Sequence, residues 1–363
     1  MRYTRFFFGL GALLAAFSLS ADDSLQIAFG SCLKQDQPQP FWRAVQRMRP
    51  DVFIFLGDNF YADTRDPQTL TRHYRDFAAL PALRELREHA QVFATWDDHD
   101  YGENDAGADY PLRSLAQRLF NKTFPAKRQA DRQGVYLSHV VSWQDRRIQI
   151  ILLDSRSFRG PLKKSGLLGL CPYPPDSIEH NTTDKLLGET QWTWLEQQLR
   201  QPADLRLLVS SIQVLPDQHC WEKWSNFPHE RERLLSLLKQ LEIENLLILS
   251  GDRHFADLSR LPAERLGFPL YEVTASGLNS AGGRSAETNR FRVARKTFAD
   301  NHFGLLRLST TEQSIALDVQ IRDDNGDLVF SHPLNFDTGR VPASVFGNST
   351  TESMHSLPTP ITP

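Results

Sequence analysis

Short apolar runs alternate along the chain with longer amphipathic ones, and the two periods predict different elements. Residues 25–29 (LQIAF), 52–56 (VFIFL) and 91–95 (QVFAT) have the length and composition of strands, whereas 40–48 sets Phe41, Ala44, Val45 and Met48 on one face of a helix. The spacing predicts a βαβ unit over 25–56, extended by a helical stretch from about 69 to 86 and the strand at 91–95. Further strands are expected at 134–142, 147–153 (RIQIILL), 205–210 (LRLLVS) and 245–249 (NLLIL), with helices at 189–199 and 230–241. Near-continuous Ile, Leu and Val mark strands buried on both faces beneath helices. From Phe268 onward the pattern changes to short strands. They include a hairpin of 314–321 and 328–330 around Asp-Asp-Asn-Gly-Asp (323–327), read as a type I′ turn at Asn-Gly and not as a calcium loop. The expected class is α/β.

The chain ends refine this picture. Arg2 and Arg5 precede an apolar run at 6–17 (FFFGLGALLAAF), then Ser-Leu-Ser-Ala and Asp22-Asp23, the order of a Sec-type signal peptide. That run is shorter than the roughly 20 residues of a membrane-spanning helix. The expectation is a signal peptide over 1–21, a catalytic domain over 22–335 and a disordered Ser/Thr/Pro-rich tail over 336–363, in a periplasmic or secreted protein with no membrane anchor. Formal charge is −3, from 41 Lys+Arg and 44 Asp+Glu, and becomes −5 once the two leader arginines are gone. Neither value leaves a polybasic footprint for nucleic acid or an anionic membrane, so an anion must be held by a local site.

Polar clusters recur just after the expected strands. They are Gly30-Ser31-Cys32, Gly57-Asp58-Asn59-Phe60-Tyr61, Trp96-Asp97-Asp98-His99-Asp100, Asp154-Ser155-Arg156 and Ser250-Gly251-Asp252-Arg253-His254. Ligands of α/β sheets bind beyond the carboxyl ends of strands, and five such ends would share one rim. A single cluster could be helix capping or core packing. Together they crowd like charges that repel unless cations lie between them. Thiolate, carboxylate and phenolate suit a hard trivalent ion such as Fe3+ beside an oxygen-preferring divalent ion such as Ca2+ or Mn2+.

The clusters also resemble a known family. Gly57-Asp58-x-x-Tyr61 resembles the GDxxY motif of purple acid phosphatases, Asp98-His99-Asp100 sits where metallophosphoesterases carry Asn-His-Glu/Asp, and Gly251-Asp252-Arg253-His254 is similar to their GHxH. With Leu153-Asp154-Ser155-Arg156, the run from Leu187 to Leu195 and Ala275-Ser276-Gly277-Leu278, they look like the PhoD-like alkaline phosphatases from about Ile27 to Gly304. That resemblance implies a metallophosphoesterase-type four-layer α/β/β/α sandwich with two mixed sheets. It also implies a catalytic-domain-only version, without the N-terminal β-sandwich of long members. The Ser210–Gln213 region stands where many metallophosphoesterases place a metal-binding His.

Carried over by position, the resemblance implies an iron site of Cys32, Asp58 and Tyr61, with Asp58 bridging to a second metal (Ca2+, or Mn2+, Mg2+ or Zn2+). Asp98 holds that second metal with Asn104 or Asp252, and His254 is a metal ligand or a phosphate contact. His99 is the general acid or a donor to phosphate, or else a structural partner of a neighbouring Asp. Arg156 and Arg253 are phosphate clamps, with a surface salt bridge as the other reading of Arg156. Trp192 and Trp194 read as the apolar face of a helix, and 163–181 as a lid. With Cys32 assigned to metal and the chain exported, Cys171 and Cys220 are expected to form a disulfide. The function implied is hydrolysis of small phosphate esters, mono- and possible diesters, by a metal-activated water. The alternatives are a dedicated phosphodiesterase and an exported phosphate- or metal-binding protein without turnover.

Overall fold

Two six-stranded sheets lie face to face, each covered by helices on its outer side. The structure is a computed structural model and describes residues 24–126, 132–162, 164, 171–175, 184–282, 287–293 and 297–337. The expected signal peptide, nearly all of the expected tail and most of the 163–181 stretch fall outside the described residues.

The first sheet contains β1 (Leu25–Gly30), β2 (Val52–Leu56), β3 (Gln91–Thr95), β10 (His302–Thr310), β11 (Ser314–Asp323) and β12 (Leu328–Asp337), in the order β12-β11-β10-β1-β2-β3. Strands β1, β2 and β3 are parallel, joined through α1 (Phe41–Met48), α2 (Pro67–Ala78) and α3 (Pro81–Arg87), while β10 runs antiparallel to β1. The single helix expected over 69–86 is thus two. Pro81 cannot donate to a continuing helix and biases Leu80 toward extended geometry, and Leu80 is extended in ψ at 123°.

The second sheet contains β4 (Leu137–Trp143), β5 (Arg146–Leu152), β6 (Leu205–Ser210), β7 (Leu246–Ser250), β8 (Ala256–Leu261) and β9 (Leu270–Ala275), in the order β4-β5-β6-β7-β9-β8. Its four central strands are parallel and both edges antiparallel. Helices α6 (Gly188–Leu199) and α7 (Pro228–Gln240) cover it, and α4 (Asp98–Tyr101) and α5 (Arg113–Thr123) belong to the first half. The 113–123 stretch sets Leu115, Ala116, Leu119 and Phe120 on one face toward the core, and α5 stands in addition to the expected helices.

Three apolar layers follow. Ile27, Ile54, Ile150, Leu207 and Leu249 meet between the sheets; Phe41, Phe53, Phe55 and Phe120 pack the first sheet on its helices; Trp192, Leu195, Leu208 and Leu238 pack the second. Trp192 and Leu195 are core, as the helical stripe predicts, with the Trp192 indole N–H donating to Glu230 Oε2 at 2.9 Å.

At 323–327 the hairpin departs from the expected type I′ turn. Only Gly326 is left-handed (φ 90°), Gly326 N–H donates to Asp323 O (3.0 Å), and the Asp323 carboxylate accepts from Asn325 and Asp327 N–H (3.0 and 2.8 Å). This is a longer turn closed by a glycine bulge, because the Asp323 side chain satisfies amides that a two-residue turn would leave to the ladder.

Candidate metal centre

The expected rim exists, but its strand ends come from both sheets. Ser31, just past β1, makes a parallel bridge to Ser276, just past β9, and Leu278 N–H donates to Ser31 O at 3.0 Å. Nearby, Thr95 Oγ1 donates to Leu153 O (2.6 Å) and Trp96 Nε1 to Asp154 Oδ1 (2.8 Å). The two sheets are therefore stitched at their carboxyl ends, and the loops beyond them face one cavity of about 890 Å3.

Backbone geometry aims these loops. Six residues here adopt left-handed φ without being glycine: Cys32 (61°), Asp58 (50°), Asp63 (42°), Asp105 (58°), Asp252 (67°) and His254 (57°). Such conformations cost free energy, and they gather where loops are held for function. Gly57 has φ 107°, and a Cβ there would stand 2.7 Å from Asp97 Cβ; one at Gly251 would stand 2.5 Å from Ser31 Oγ. Only glycine lets the Asp58 and Asp252 loops approach their neighbours this closely.

The carboxylates meet at the centre. One oxygen from each of Asp58, Asp97, Asp98 and Asp252 lies within 4.8 Å of the others, and Asp58 and Asp98 also group this way with a His99 nitrogen. Cys32 Sγ donates to Asp58 Oδ2 (3.4 Å) and contacts Ser276 Oγ (3.1 Å), and Tyr61 OH donates to the same Asp58 oxygen (3.4 Å). Burial, then the Asp58 charge, holds the Cys32 thiol protonated, and burial followed by the Cys32 and Asp58 charges does the same to the Tyr61 phenol. Burial, with Asp98 next to it, raises Asp58 as well. Burial also lifts Asp252 to about 7 despite Arg253. Asp98 goes the other way: Arg156, His99 and the Asp105 N–H outweigh burial and bring it to about 2.

Whether the residues fit a cation is decided by what lacks a partner. Asp97 Oδ2 is buried without a hydrogen-bond partner, a costly state for a carboxylate unless a cation completes it, and Asp252 Oδ2 has only the Arg253 guanidinium, 3.5 Å away. Four carboxylates with a thiol and a phenol at one of their oxygens form a hard, anionic donor set, and the fit is good.

Around this core the expected residues take distinct places. His99 Nδ1 meets Asp63 Oδ1 at 2.7 Å and its ring lies 4.2 Å from that of Tyr61. Burial disfavours the imidazolium, but Asp63, Asp98 and Asp58 outweigh it and push His99 up to about 10. Asn104 lines the cavity, its backbone N–H donating to Asp63 Oδ1 at 3.1 Å. His254 Nδ1 faces the Ser280 carbonyl, which leaves Nε2 as the lone-pair nitrogen of the neutral ring; burial lowers its pKa. It lines the cavity outside the four-carboxylate group. Arg253 also lines the cavity, pairing with Asp252 (Nη1 to Oδ2, 3.5 Å) and with Glu287.

Arg156 does not face the cavity. It is fully buried, with Nε donating to Asp97 Oδ1 (2.6 Å) and Nη1 to Glu222 Oε2 (2.7 Å), so it forms a buried ion pair and is neither a phosphate clamp nor a surface salt bridge. The Ser210–Gln213 region places Ser211, whose hydroxyl donates to Asp97 Oδ1 at 2.7 Å, where a histidine was sought. Cys171 and Cys220 are joined, with their Cα atoms 4.7 Å apart.

Four residues were missed. Asp97 stands inside the Trp-Asp-Asp-His block and Asp63 two positions past Tyr61, so a rule collecting every carboxylate in a strand-end loop would have found both. Ser276 stands in the Ala275–Leu278 motif just past β9, whereas Glu222, which holds Arg156 and Arg159 (Nε to Oε1, 2.9 Å), follows no such cue.

A four-layer α/β/β/α sandwich with a carboxylate-rich centre where its sheets join defines the metallophosphoesterase-type fold. Within that class, residues 27–325 match the PhoD-like phosphatases, and the chain belongs to that family. Alkaline phosphatase D of Bacillus subtilis (strain 168) is 21% identical over 349 residues, covering 82% of this chain and 59% of that protein. The chain thus spans little more than half the length of this curated relative. The solved structure of PhoD superposes with a TM-score of 0.68 at 16% identity, over 87% of this chain and 70% of the other. GAP50, the anchor in the inner membrane complex of Plasmodium, superposes at 0.53 and 16% identity, over 86% and 89%. At these identities the superpositions speak for the fold alone.

Proposed function

We propose that the chain is an exported, metal-dependent phosphoesterase that hydrolyses phosphomonoesters at alkaline pH. The observation that carries this reading is the approach of Asp58, Asp97, Asp98 and Asp252 to within 4.8 Å, with Asp97 Oδ2 buried and unpartnered, in a chain of the PhoD-like family. Cys32, Asp58 and Tyr61 would hold Fe3+; Asp98, with Asn104 and Asp252, would hold Ca2+ or another divalent ion. When bound, the ions offset charge on the phosphoryl oxygens and supply a nucleophilic water at moderate pH. Arg253 binds a phosphate oxygen, and Arg156 orients Asp97 without touching substrate. Held at Nδ1 by Asp63, His99 keeps Nε2 for the substrate and passes its proton to the leaving oxygen as the P–O bond breaks. Export rests on the 1–21 pattern and agrees with a disulfide, which persists in oxidising compartments.

Phosphodiesters are the second reading, since a cavity of about 890 Å3 has room for another ester substituent. Comparing p-nitrophenyl phosphate with bis(p-nitrophenyl) phosphate tests the two. The expected result is faster turnover of the monoester, abolished by chelation and restored by Ca2+; a rate unaffected by chelation overturns metal dependence, and a preference for the diester moves the assignment. A ferric ion on Tyr61 would also colour the protein, and a colourless, iron-free, fully active preparation would remove iron from that site.

A further inference from the structure

Trp221 is held in a manner that the carboxylate chemistry does not require. Trp221 is 43% exposed, a level exceeded among the other large apolar described residues only by Leu328, and it lines the same cavity as Asp98, His99 and Asp252. Its backbone is pinned on both sides. The Trp221 N–H donates to His219 Nδ1 (3.2 Å), its carbonyl accepts from Lys223 Nζ (3.0 Å), and the preceding Cys220 is tied to Cys171 covalently and to Tyr173 N–H through its carbonyl (2.9 Å). An exposed indole forgoes a large burial gain, and one carried on so fixed a backbone is a preformed planar surface with little entropy left to lose on binding.

Its position relative to the carboxylates gives that surface a use. The Arg253 guanidinium carbon lies 5.3 Å from the indole centroid, and Arg253 Nη1 lies 3.5 Å from Asp252 Oδ2. The ring therefore stands one guanidinium away from the carboxylate cluster, where the ester substituent of a phosphate held there would extend. The cavity, at about 890 Å3, falls in the range of roughly 300–1,000 Å3 that takes drug-sized ligands, far more than a phosphoryl group fills. In the same wall, His219 accepts at Nδ1 and so carries its proton on Nε2, which is buried without a hydrogen-bond partner and can donate to a polar ring substituent.

We propose that Trp221 is the stacking platform for a planar leaving group, so that this site prefers aryl and nucleoside phosphates to aliphatic ones. The proposal rests on the phosphoesterase reading. Stacking on an aromatic side chain tolerates any π face, so it selects planar rings as a class and not one base. Arg253 beside the indole keeps the phosphate end of the ligand in register with the stacked end.

The test compares Trp221→Ala and Trp221→Phe with the wild-type protein on AMP, p-nitrophenyl phosphate and glycerol 3-phosphate. In Trp221→Ala, KM for the two planar esters is expected to rise about tenfold, with glycerol 3-phosphate unchanged and Trp221→Phe recovering most of the loss. A rise for AMP alone restricts the platform to nucleobases, and one for p-nitrophenyl phosphate alone restricts it to small aryl groups. Equal changes on all three esters, or none on the planar two, overturn the proposal. A second readout does not need turnover: AMP should quench tryptophan emission in the wild-type chain and much less in Trp221→Phe, while glycerol 3-phosphate quenches neither. If no ester is hydrolysed, the phosphoesterase reading fails, and the quenching alone decides for or against Trp221.

Discussion

The floor of the cavity and its wall are built by different means. Asp98 and Asp252 line the floor with Cys32, Asp58 and Asp97 buried behind them; each follows a strand, and the register of two stitched sheets fixes where they sit. The wall, from Tyr173 to the disulfide and on to Trp221 and Glu222, belongs to no helix or strand among the described residues. A covalent bond, two backbone hydrogen bonds and the Glu222 pairs with Arg156 and Arg159 hold it. The difference teaches a division of labour. Carboxylates that must meet within a few ångströms belong on strands, whereas a surface that selects substituents can be hung from loops.

The largest effect should come from breaking the floor alone. Asp58→Asn removes the oxygen shared by Cys32 and Tyr61, and kcat/KM is expected to fall about 10³-fold or more, with loss of bound metal by elemental analysis. The wall should survive, with AMP still quenching Trp221; retention of both metal and activity would take Asp58 out of the centre.

Next in size is the joint between floor and wall. Glu222 is 4% exposed and sits against two buried guanidinium groups. Glu222→Gln leaves Arg156 and Arg159 short of an anion, at a cost of about 3 kcal/mol in stability. A lower denaturant midpoint and a slower enzyme, through the loosened Arg156–Asp97 pair, are expected together. Unchanged stability would show that the wall stands independently of the floor.

The same contrast explains what was legible in the sequence. β2 is an unbroken apolar run and β3 and β6 are short apolar-rich ones, with ends that coincide with those of the strands, and the motif following each places a polar residue at the rim; hence Asp58 and Asp98 could be read in advance. Which sheet each strand joins could not, because Ile and Leu runs are alike in both layers and the bridge at Ser31 and Ser276 spans 245 residues of chain. Arg156 shows the limit within a motif. Its position after β5 marks it for the rim, but the carboxylate that turns it inward, Glu222, comes from a loop with no periodic signal. Asp63 stands in a strand-end loop and could be collected there, but its role could not be read: its partner is one nitrogen of His99, 36 residues away.

The smallest effect concerns that last pair and is read in pH. Asp63 is the leading group that raises His99 to about 10 against burial, so Asp63→Asn should lower the His99 pKa. A general acid works only while protonated, and its contribution disappears as pH rises through its pKa. The alkaline limb of kcat on esters with poor leaving groups should therefore move to lower pH, with a loss of about tenfold at pH 9, while the acid limb stays in place. Stability follows the same sign. With the folded value at about 10 against an unfolded value near 6.5, His99 contributes stability that is complete below about 6.5 and lost as pH rises through 10. Asp63→Asn should shrink that alkaline loss, visible as a flatter dependence of melting temperature on pH between 7 and 10. An alkaline limb that does not move would assign the proton to another group and leave His99 as a hydrogen-bond donor to phosphate. A shifted limb would place the acid on the floor side of the cavity, facing the wall that carries the leaving group.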